Sequence, residues 1–317
     1  MSETLPAPAT VLAIGESLVD VVETVDGTVE HPGGSPMNIA YGLARLGRPV
    51  RLLSAVGPDA RGDAIVEHLR SAGVEIEPAS FRDEATSSAT ARLRADGSAE
   101  YDFDVRWSLP AGLDLPPADI VHTGSLGAFV EPGGSAVVDV LRGRPDAVVT
   151  FDPNIRPALV GSHEAASARF EQIARLSTVL KLSDEDAEWL YPGASVDEAI
   201  DRILELGAAS GDRGPALVVV TRGGDGAVIA SRTERVVVPG VSVAVVDTIG
   251  AGDSLMSALL FRIAGLLDAG TPASALRDGS AFDGALLDDL GAFAVRCAAV
   301  TVSRAGANPP LLAEVAR

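Results

Sequence analysis

Val245-Val-Asp-Thr-Ile-Gly-Ala-Gly-Asp-Ser-Leu-Met-Ser-Ala-Leu-Leu-Phe261 reads as a short apolar strand that enters a small-residue turn, Gly250-Ala251-Gly252, and leaves it as a helix. The helix is legible because apolar residues recur at Leu255, Met256, Leu259 and Leu260. The turn therefore lies at a helix N-terminus, where unpaired N–H groups and the positive end of the helix dipole favour an anion. Small side chains let a phosphate approach the backbone closely. Asp253 falls in the first helical turn. A carboxylate beside an anion-binding turn suits phosphoryl transfer to a hydroxyl, since it can accept the alcohol's proton while the N–H groups meet the phosphoryl charge. On these residues alone Asp253 serves equally as an N-terminal cap, and both readings stand.

Working outward, apolar runs at Val11–Ile14, Val50–Ser54, Ile120–Thr123, Val148–Phe151, Val179–Leu182 and Leu217–Val220 predict buried strands. Segments with helical spacing separate most of them: Met37–Leu46, Gly62–Ser71, Ser135–Leu141, Ala165–Leu176 and Val196–Leu206. Strands apolar throughout, alternating with helices, predict a single α/β domain over residues 1–317, with a mostly parallel sheet covered on both faces. Two stretches break the rhythm, at about 18–33 around Asp26-Gly27 and at about 88–107 around Asp96-Gly97, each carrying a hairpin dipeptide. In the second, Tyr101, Phe103, Val105 and Trp107 alternate with Asp102, Asp104 and Arg106, which puts aromatics on one face and charges on the other. These stretches either extend the main sheet or form a small inserted sheet; the one-sided apolar face favours the latter. Asp268–Asp289 reads as a surface connection between two C-terminal helices.

The formal net charge of −19 excludes broad contact with nucleic-acid backbones or anionic membranes, while leaving room for a local site that takes a small anion. The N-terminus lacks a signal-peptide pattern and no apolar run is long enough to span a bilayer, so a cytoplasmic location is expected. The single cysteine, Cys297, lies among apolar residues and is expected to be buried. Lys181 is the only lysine. It stands in Thr-Val-Leu-Lys-Leu-Ser without the glycines of a phosphate-binding P-loop, which is thereby excluded. Gly224-x-Gly226 lacks the third glycine of a dinucleotide fingerprint, which weighs against an oxidoreductase.

The run around Asp253 resembles the C-terminal signature of the ribokinase-like (PfkB) carbohydrate kinases, and Gly33-Gly-Ser-Pro-Met-Asn-Ile-Ala-Tyr-Gly-Leu-Ala-Arg-Leu-Gly47 resembles their N-terminal one. The likeness extends from Val11 to about Pro310. It implies a ribokinase-like fold with a small β-sheet lid that closes over the sugar and can pair two subunits as a homodimer. It implies ATP and magnesium as cofactors, with potassium as a further expectation. By the same resemblance Gly250, Ala251 and Gly252 form the anion hole and Asp253 is the catalytic base. Asp20, Gly33, Gly34 and Asn38 match sugar contacts, to which Phe103, Arg106 and Arg156 are added as substrate-binding candidates. Val220-Thr-Arg-Gly-Gly-Asp-Gly226 resembles the nucleotide loop and implicates Thr221, Gly223 and Gly226, and Ser303-Arg-Ala-Gly-Ala-Asn308 resembles the segment near the adenine. Asn154, Lys181, Ser183 and Asn308 complete the nucleotide-binding set, while Asp186 and Asp247 are metal candidates. The chain departs from the family where Ser183-Asp-Glu-Asp186 replaces Asn-x-x-Glu.

Phe151-Asp-Pro-Asn-Ile-Arg-Pro157 and Gly15-Glu-Ser-Leu-Val-Asp20 resemble the fructokinase and 2-keto-3-deoxygluconate kinase branches of that family. Fructose is the first expectation. The keto-deoxy acid is the second, with Arg106 or Arg92 meeting its carboxylate. An inactive sugar- or nucleoside-binding protein is the alternative from another class, and damage to Asp253 or the glycine turn would be its mark.

Overall fold

Each of the six apolar runs forms a strand, because each is covered on both faces. In the computed structural model, which describes residues 7–24, 27–93, 99–110, 112–206 and 214–316, the strands are β1 (Val11–Ile14), β2 (Leu18–Thr24), β3 (Gly27–Gly33), β4 (Val50–Leu53), β5 (Glu75–Ile76), β6 (Ser88–Leu93), β7 (Ala99–Asp104), β8 (Ile120–Gly124), β9 (Val148–Asp152), β10 (Val179–Ser183), β11 (Leu217–Thr221), β12 (Ala227–Ser231) and β13 (Arg235–Val238). The helices are α1 (Ser35–Arg45), α2 (Ala60–Ala72), α3 (Ser125–Phe129), α4 (Gly133–Arg142), α5 (His163–Ala174), α6 (Asp184–Leu190), α7 (Val196–Glu205), α8 (Ala251–Asp268), α9 (Ala273–Asp278), α10 (Gly284–Val302) and α11 (Leu312–Val315).

Nine strands make the main sheet in the order β13-β12-β11-β10-β9-β8-β1-β4-β5. From β5 to β11 the pairs are parallel, and β12 and β13 add an antiparallel edge that the sequence reading did not contain. Alternate residues of each strand feed separate cores. Val11, Ala13, Leu217 and Val219 pack with α1, α2, α8 and α10, whereas Leu12, Ile14, Val218 and Val220 pack with α4, α5 and α7. After β1 the chain moves to β4 and β5 on one side and later returns to β8, β9 and β10 on the other. Strand order therefore reverses at β1, and the crevice beyond its C-terminal end is where ligands bind in such sheets.

The two irregular stretches form a separate four-stranded sheet, β3-β2-β6-β7, as the one-sided pattern predicts. Register aligns His31, Asp20, Ala89 and Phe103 in one row, and Val29, Val22, Ala91 and Tyr101 in the next row of the same face. The residues Asp26, Asp96 and Gly97 lie outside those described. The alternation ends with β7: Trp107 leaves the sheet and is buried in the main domain, its indole Nε1 donating to the Gly127 carbonyl at 2.8 Å.

Two expectations are corrected. Val245 to Asp247 is not a strand: Val245 and Val246 are each 63% exposed, and the N–H groups of Val246 and Asp247 both donate to the Val302 carbonyl at the end of α10. An apolar run becomes a strand only where it pairs with another strand, and among the described residues this one pairs with none. Asp268 to Asp289 is more than a surface connection, since it contains α9 and buries Leu276 and Phe282. Cys297 is buried, and its surroundings push the thiol up to about 12. Among the described residues no helix is long and apolar enough to cross a membrane.

Candidate active site

The glycine turn is the N-terminus of α8, as predicted. Gly250 caps the helix at φ 76°, a left-handed conformation, and a Cβ there would press on Ala307. Only glycine lets the C-terminal segment pack so closely against the turn. Asp253 is the third residue of α8, and its carboxylate accepts two bonds from α1: Ser35 Oγ at 2.6 Å and Asn38 Nδ2 at 2.9 Å. The two signature stretches, far apart in sequence, thus meet through one carboxylate. Gly34 holds the entry to α1 at φ 113°, where a Cβ would strike the Glu16 carbonyl.

A cleft of about 440 Å³ opens between α8 and the inserted sheet. Asp20, Gly34, Asn38, Phe103, Asn154, Arg156, Lys181, Gly250, Ala251, Gly252 and Asp253 all line it, so catalytic, sugar and several nucleotide candidates converge. Gly33 lies beside Asp20, where a side chain would collide with the Asp20 carboxylate. Asp20 is exposed at the cleft mouth, yet desolvation by the walls raises its carboxyl, with His31 and Arg156 opposing. Among the described residues no carboxylate forms an ion pair with Arg156, and the guanidinium bonds only to the Ile155 carbonyl at 3.1 Å.

Lys181 projects from β10 into this cleft. Its ammonium meets Asp152 Oδ2 of β9 at 2.8 Å and lies 2.8 Å from where a Cβ on Gly252 would stand. Both partners are buried. Burial opposes the lysine's charge, but Asp152, Asp186 and Asp253 together raise its pKa, so it is a cation held against the glycine turn. Burial pushes Asp152 up to about 6 although Lys181 opposes the shift. Asp152 Oδ1 has no partner.

Other candidates fall elsewhere. Ser183 caps α6 and Asp186 closes a capping box with it: the serine hydroxyl accepts from Asp186 N, while Asp186 Oδ2 accepts from Ser183 N at 3.1 Å and Oδ1 from Ile155 N at 2.8 Å. Both oxygens of this metal candidate hold backbone, and among the described residues no group of three or more metal-ligating side chains occurs. Asp247 likewise ties two loops, accepting from Ile249 N at 3.0 Å and Gly306 N at 2.9 Å, which lowers its pKa. Thr221 pairs with Ser183 across β10 and β11, and Gly223 and Gly226 bound the turn into β12; they continue the same sheet edge without lining the cleft. Asn308 follows Ala307 beside the glycine turn, its N–H donating to the Gly306 carbonyl at 2.8 Å. Arg106 does not line the cleft: it pairs with Asp104 at 3.0 Å and borders a neighbouring cavity with Arg82 and Glu131. Arg92 is paired with Glu23 and Asp102 on the inserted sheet's charged face.

A family model described as pfkB family carbohydrate kinase matches residues 9–314. The chain belongs to this family. It is 32% identical to fructokinase-1 of Oryza sativa subsp. japonica over 96% of this chain and 95% of that protein. It is 30% identical to a fructokinase of Rhizobium leguminosarum bv. trifolii, over 79% of this chain and 78% of that one. A fructokinase structure from Xylella fastidiosa with bound ATP superposes with a TM-score of 0.81 at 26% identity, covering 97% of each chain. The chain is thus a sugar kinase with a ribokinase-like fold.

Sequence reasoning gave no role to five polar residues that line or brace this kinase's cleft: Glu16, Ser35, Ser125, Asp152 and Thr248. Ser35 and Glu16 lay inside quoted motifs but had no role, because their partners are distant in sequence. For Asp152 a signal existed, an acid at the end of an otherwise apolar strand. Ser125 had none.

Proposed function

We propose that this kinase transfers the γ-phosphoryl group of ATP to the 6-hydroxyl of D-fructose. The observation that carries the reading is the position of Asp253, between the glycine turn at the start of α8 and a cleft whose other wall bears Asp20 and Phe103. A hydroxyl placed there can give its proton to the carboxylate as it attacks phosphorus. Ser35 and Asn38 hold that carboxylate in place by donating to both its oxygens. The turn Gly250–Ala251–Gly252, with Lys181 beside Gly252, would meet the phosphoryl charge, the Ala251 N–H giving up its 3.3 Å bond to the Thr248 carbonyl. The fructokinase names of the relatives support the sugar, and the ATP-bound Xylella structure supports the donor.

Magnesium would be held largely by the nucleotide's phosphates and water, since among the described residues no group of three or more His, Cys, Asp or Glu side chains comes together. A potassium requirement would place that ion at the loops Asp247 joins. Fructose is favoured over the keto-deoxy acid because Arg92 and Arg106 are both ion-paired outside the cleft. The exposed row of Val29 and Tyr101 extends the lid's inner face beyond the cleft and supports a homodimer formed there.

ADP release over a sugar panel with ATP and magnesium tests the reading, and D-fructose is expected to give the highest kcat/KM. A keto-deoxy acid about a hundredfold better would move the assignment to that substrate, with Arg156 meeting its carboxylate. No release with any sugar would leave a binding protein.

A further inference from the structure

The residue after β1 and Gly15 is Glu16, only 3% exposed and lining the cleft, although no step of the proposed transfer requires it. Its Oε2 accepts the Gly127 N–H at 2.7 Å, and the Ser125 side chain is close enough to favour its charged form. Ser125 in turn accepts from Asn154 Nδ2 at 3.3 Å. Among the described residues Ser125 (φ 50°) and Asn154 (φ 38°) are the non-glycine residues with positive φ, and they bond to each other in the cleft wall. Such conformations are costly and persist where the surroundings over-determine them. Two residues beyond Asn154 stands Arg156. On the other side of the glutamate, the Gly127 carbonyl accepts the indole of Trp107, in the segment that leaves the lid.

We propose that Glu16 is a positioning residue of the active site: through Ser125 and Asn154 it fixes the wall that seats Arg156, and through Gly127 it ties that wall to the base of the lid. The proposal rests on reading the cleft as a sugar-kinase site, but not on which sugar enters it. Burial raises the Glu16 carboxyl to about 7, with a contribution from Asp253, while the Gly127 N–H and the neighbouring Ser125 oppose the shift. The charged groups facing it are Asp253 on α8, Asp20 on β2 with His31 on β3 behind it, Lys181 on β10, and Arg156 after β9. Ionisation of Glu16 adds a third carboxylate to a cleft that must receive a triphosphate, so turnover falls as pH rises through neutrality.

Trp107 reports on this wall directly. The experiment uses the full chain carrying Trp189→Phe, which leaves Trp107 as the single indole. Without substrates, Trp107 emission is expected to shift with pH near neutrality, and Glu16→Gln should abolish the shift. With the best sugar of the panel, kcat/KM should fall about two- to fivefold between about pH 6 and pH 8, and the Gln variant should lose that fall while keeping kcat at the lower pH within about threefold. Glu16→Asp is too short to reach Gly127 and should lower kcat about tenfold with little change in ATP affinity. The proposal is overturned if Glu16→Gln retains the emission transition, or if Glu16→Asp turns over at the parent rate. The emission measurement needs no sugar, so it stands even if fructose is the wrong substrate; should the Asp variant not fold, the Gln variant alone decides.

Discussion

In the proposed reaction Asp253 is the base, and its geometry allows binding to be separated from proton transfer. Asp253→Asn keeps the size and the bonds to α1 but removes the proton acceptor. Its kcat should fall roughly 10²–10⁴-fold while sugar affinity changes little, and steady-state kinetics with a sugar-binding titration would check both. A variant with near-normal kcat would remove Asp253 from the role of base. Lys181 makes a second case, because its ion pair serves structure and charge together. Lys181→Met leaves Asp152 buried without its partner, which should cost about 3–5 kcal/mol of stability. Adding Asp152→Asn should restore much of the stability but not the turnover, expected to remain down by roughly 10²-fold. Recovery of both on urea unfolding and kinetics would show that the lysine only neutralises Asp152. The lone lysine was visible from composition; its seat against Gly252 was not, since that depends on α8 lying across β10.

At the scale of elements, the inserted sheet shows how far local pattern reaches. The period of two in β7 assigned Tyr101 and Phe103 to one face, and the structure places Phe103 over the cleft with Tyr101 stacked beside it, their centroids 6.2 Å apart. The same pattern carried Trp107 into the strand, whereas the chain turns away at Asp104 and buries the indole below. Alternation records which face is apolar, not where a strand ends. If this sheet is the lid, saturating sugar should slow amide exchange across Tyr101–Asp104 and leave the main sheet unchanged. Equal exchange with and without sugar would sink the closing role. Val245 to Ile249 gives the reverse lesson. Its hydrophobicity suggested a strand, but among the described residues it pairs with no strand and instead bonds to the end of α10. Ser183 and Asp186 have the spacing of a capping box as well as that of a ligand pair, and it is the box that starts helix α6.

For the whole molecule, the titration of buried acids sets a direction for stability against pH. Glu16 and Asp152 have folded-state values raised to about 7 and about 6, so between roughly pH 4 and pH 7 the folded chain holds protons that the unfolded chain has lost. Their contribution to stability therefore declines as pH rises through that window, and the net charge of −19 adds repulsion of the same sign. Urea unfolding should give a free energy larger by about 1–3 kcal/mol near pH 5 than near pH 7.5, with Glu16→Gln flattening part of the slope. A stability that rises over this interval would contradict the burial of both groups as protonatable acids. Carboxylates held low by hydrogen bonds, such as Asp59 and Asp247, act oppositely and lose their contribution only at more acid pH.

The sequence by itself determined what depends on near neighbours along the chain: the alternation of covered strands and helices, the two-faced inserted strands, and the helix N-terminus that presents Asp253. Each follows from side-chain periodicity or from backbone groups left unpaired at an element's end, and neither needs knowledge of the partner. Only the tertiary structure decided which groups meet. It brought Ser35 and Asn38 to Asp253, Lys181 to Asp152 and Gly252, and Glu16 to the strained Ser125 turn, and it drew Arg106 and Asp186 into other bonds. These meetings arise because strand order reverses at β1, which gathers the ends of strands distant in sequence into one crevice. A side chain's type states what it can bond; what it does bond is set by which backbone the fold lays beside it.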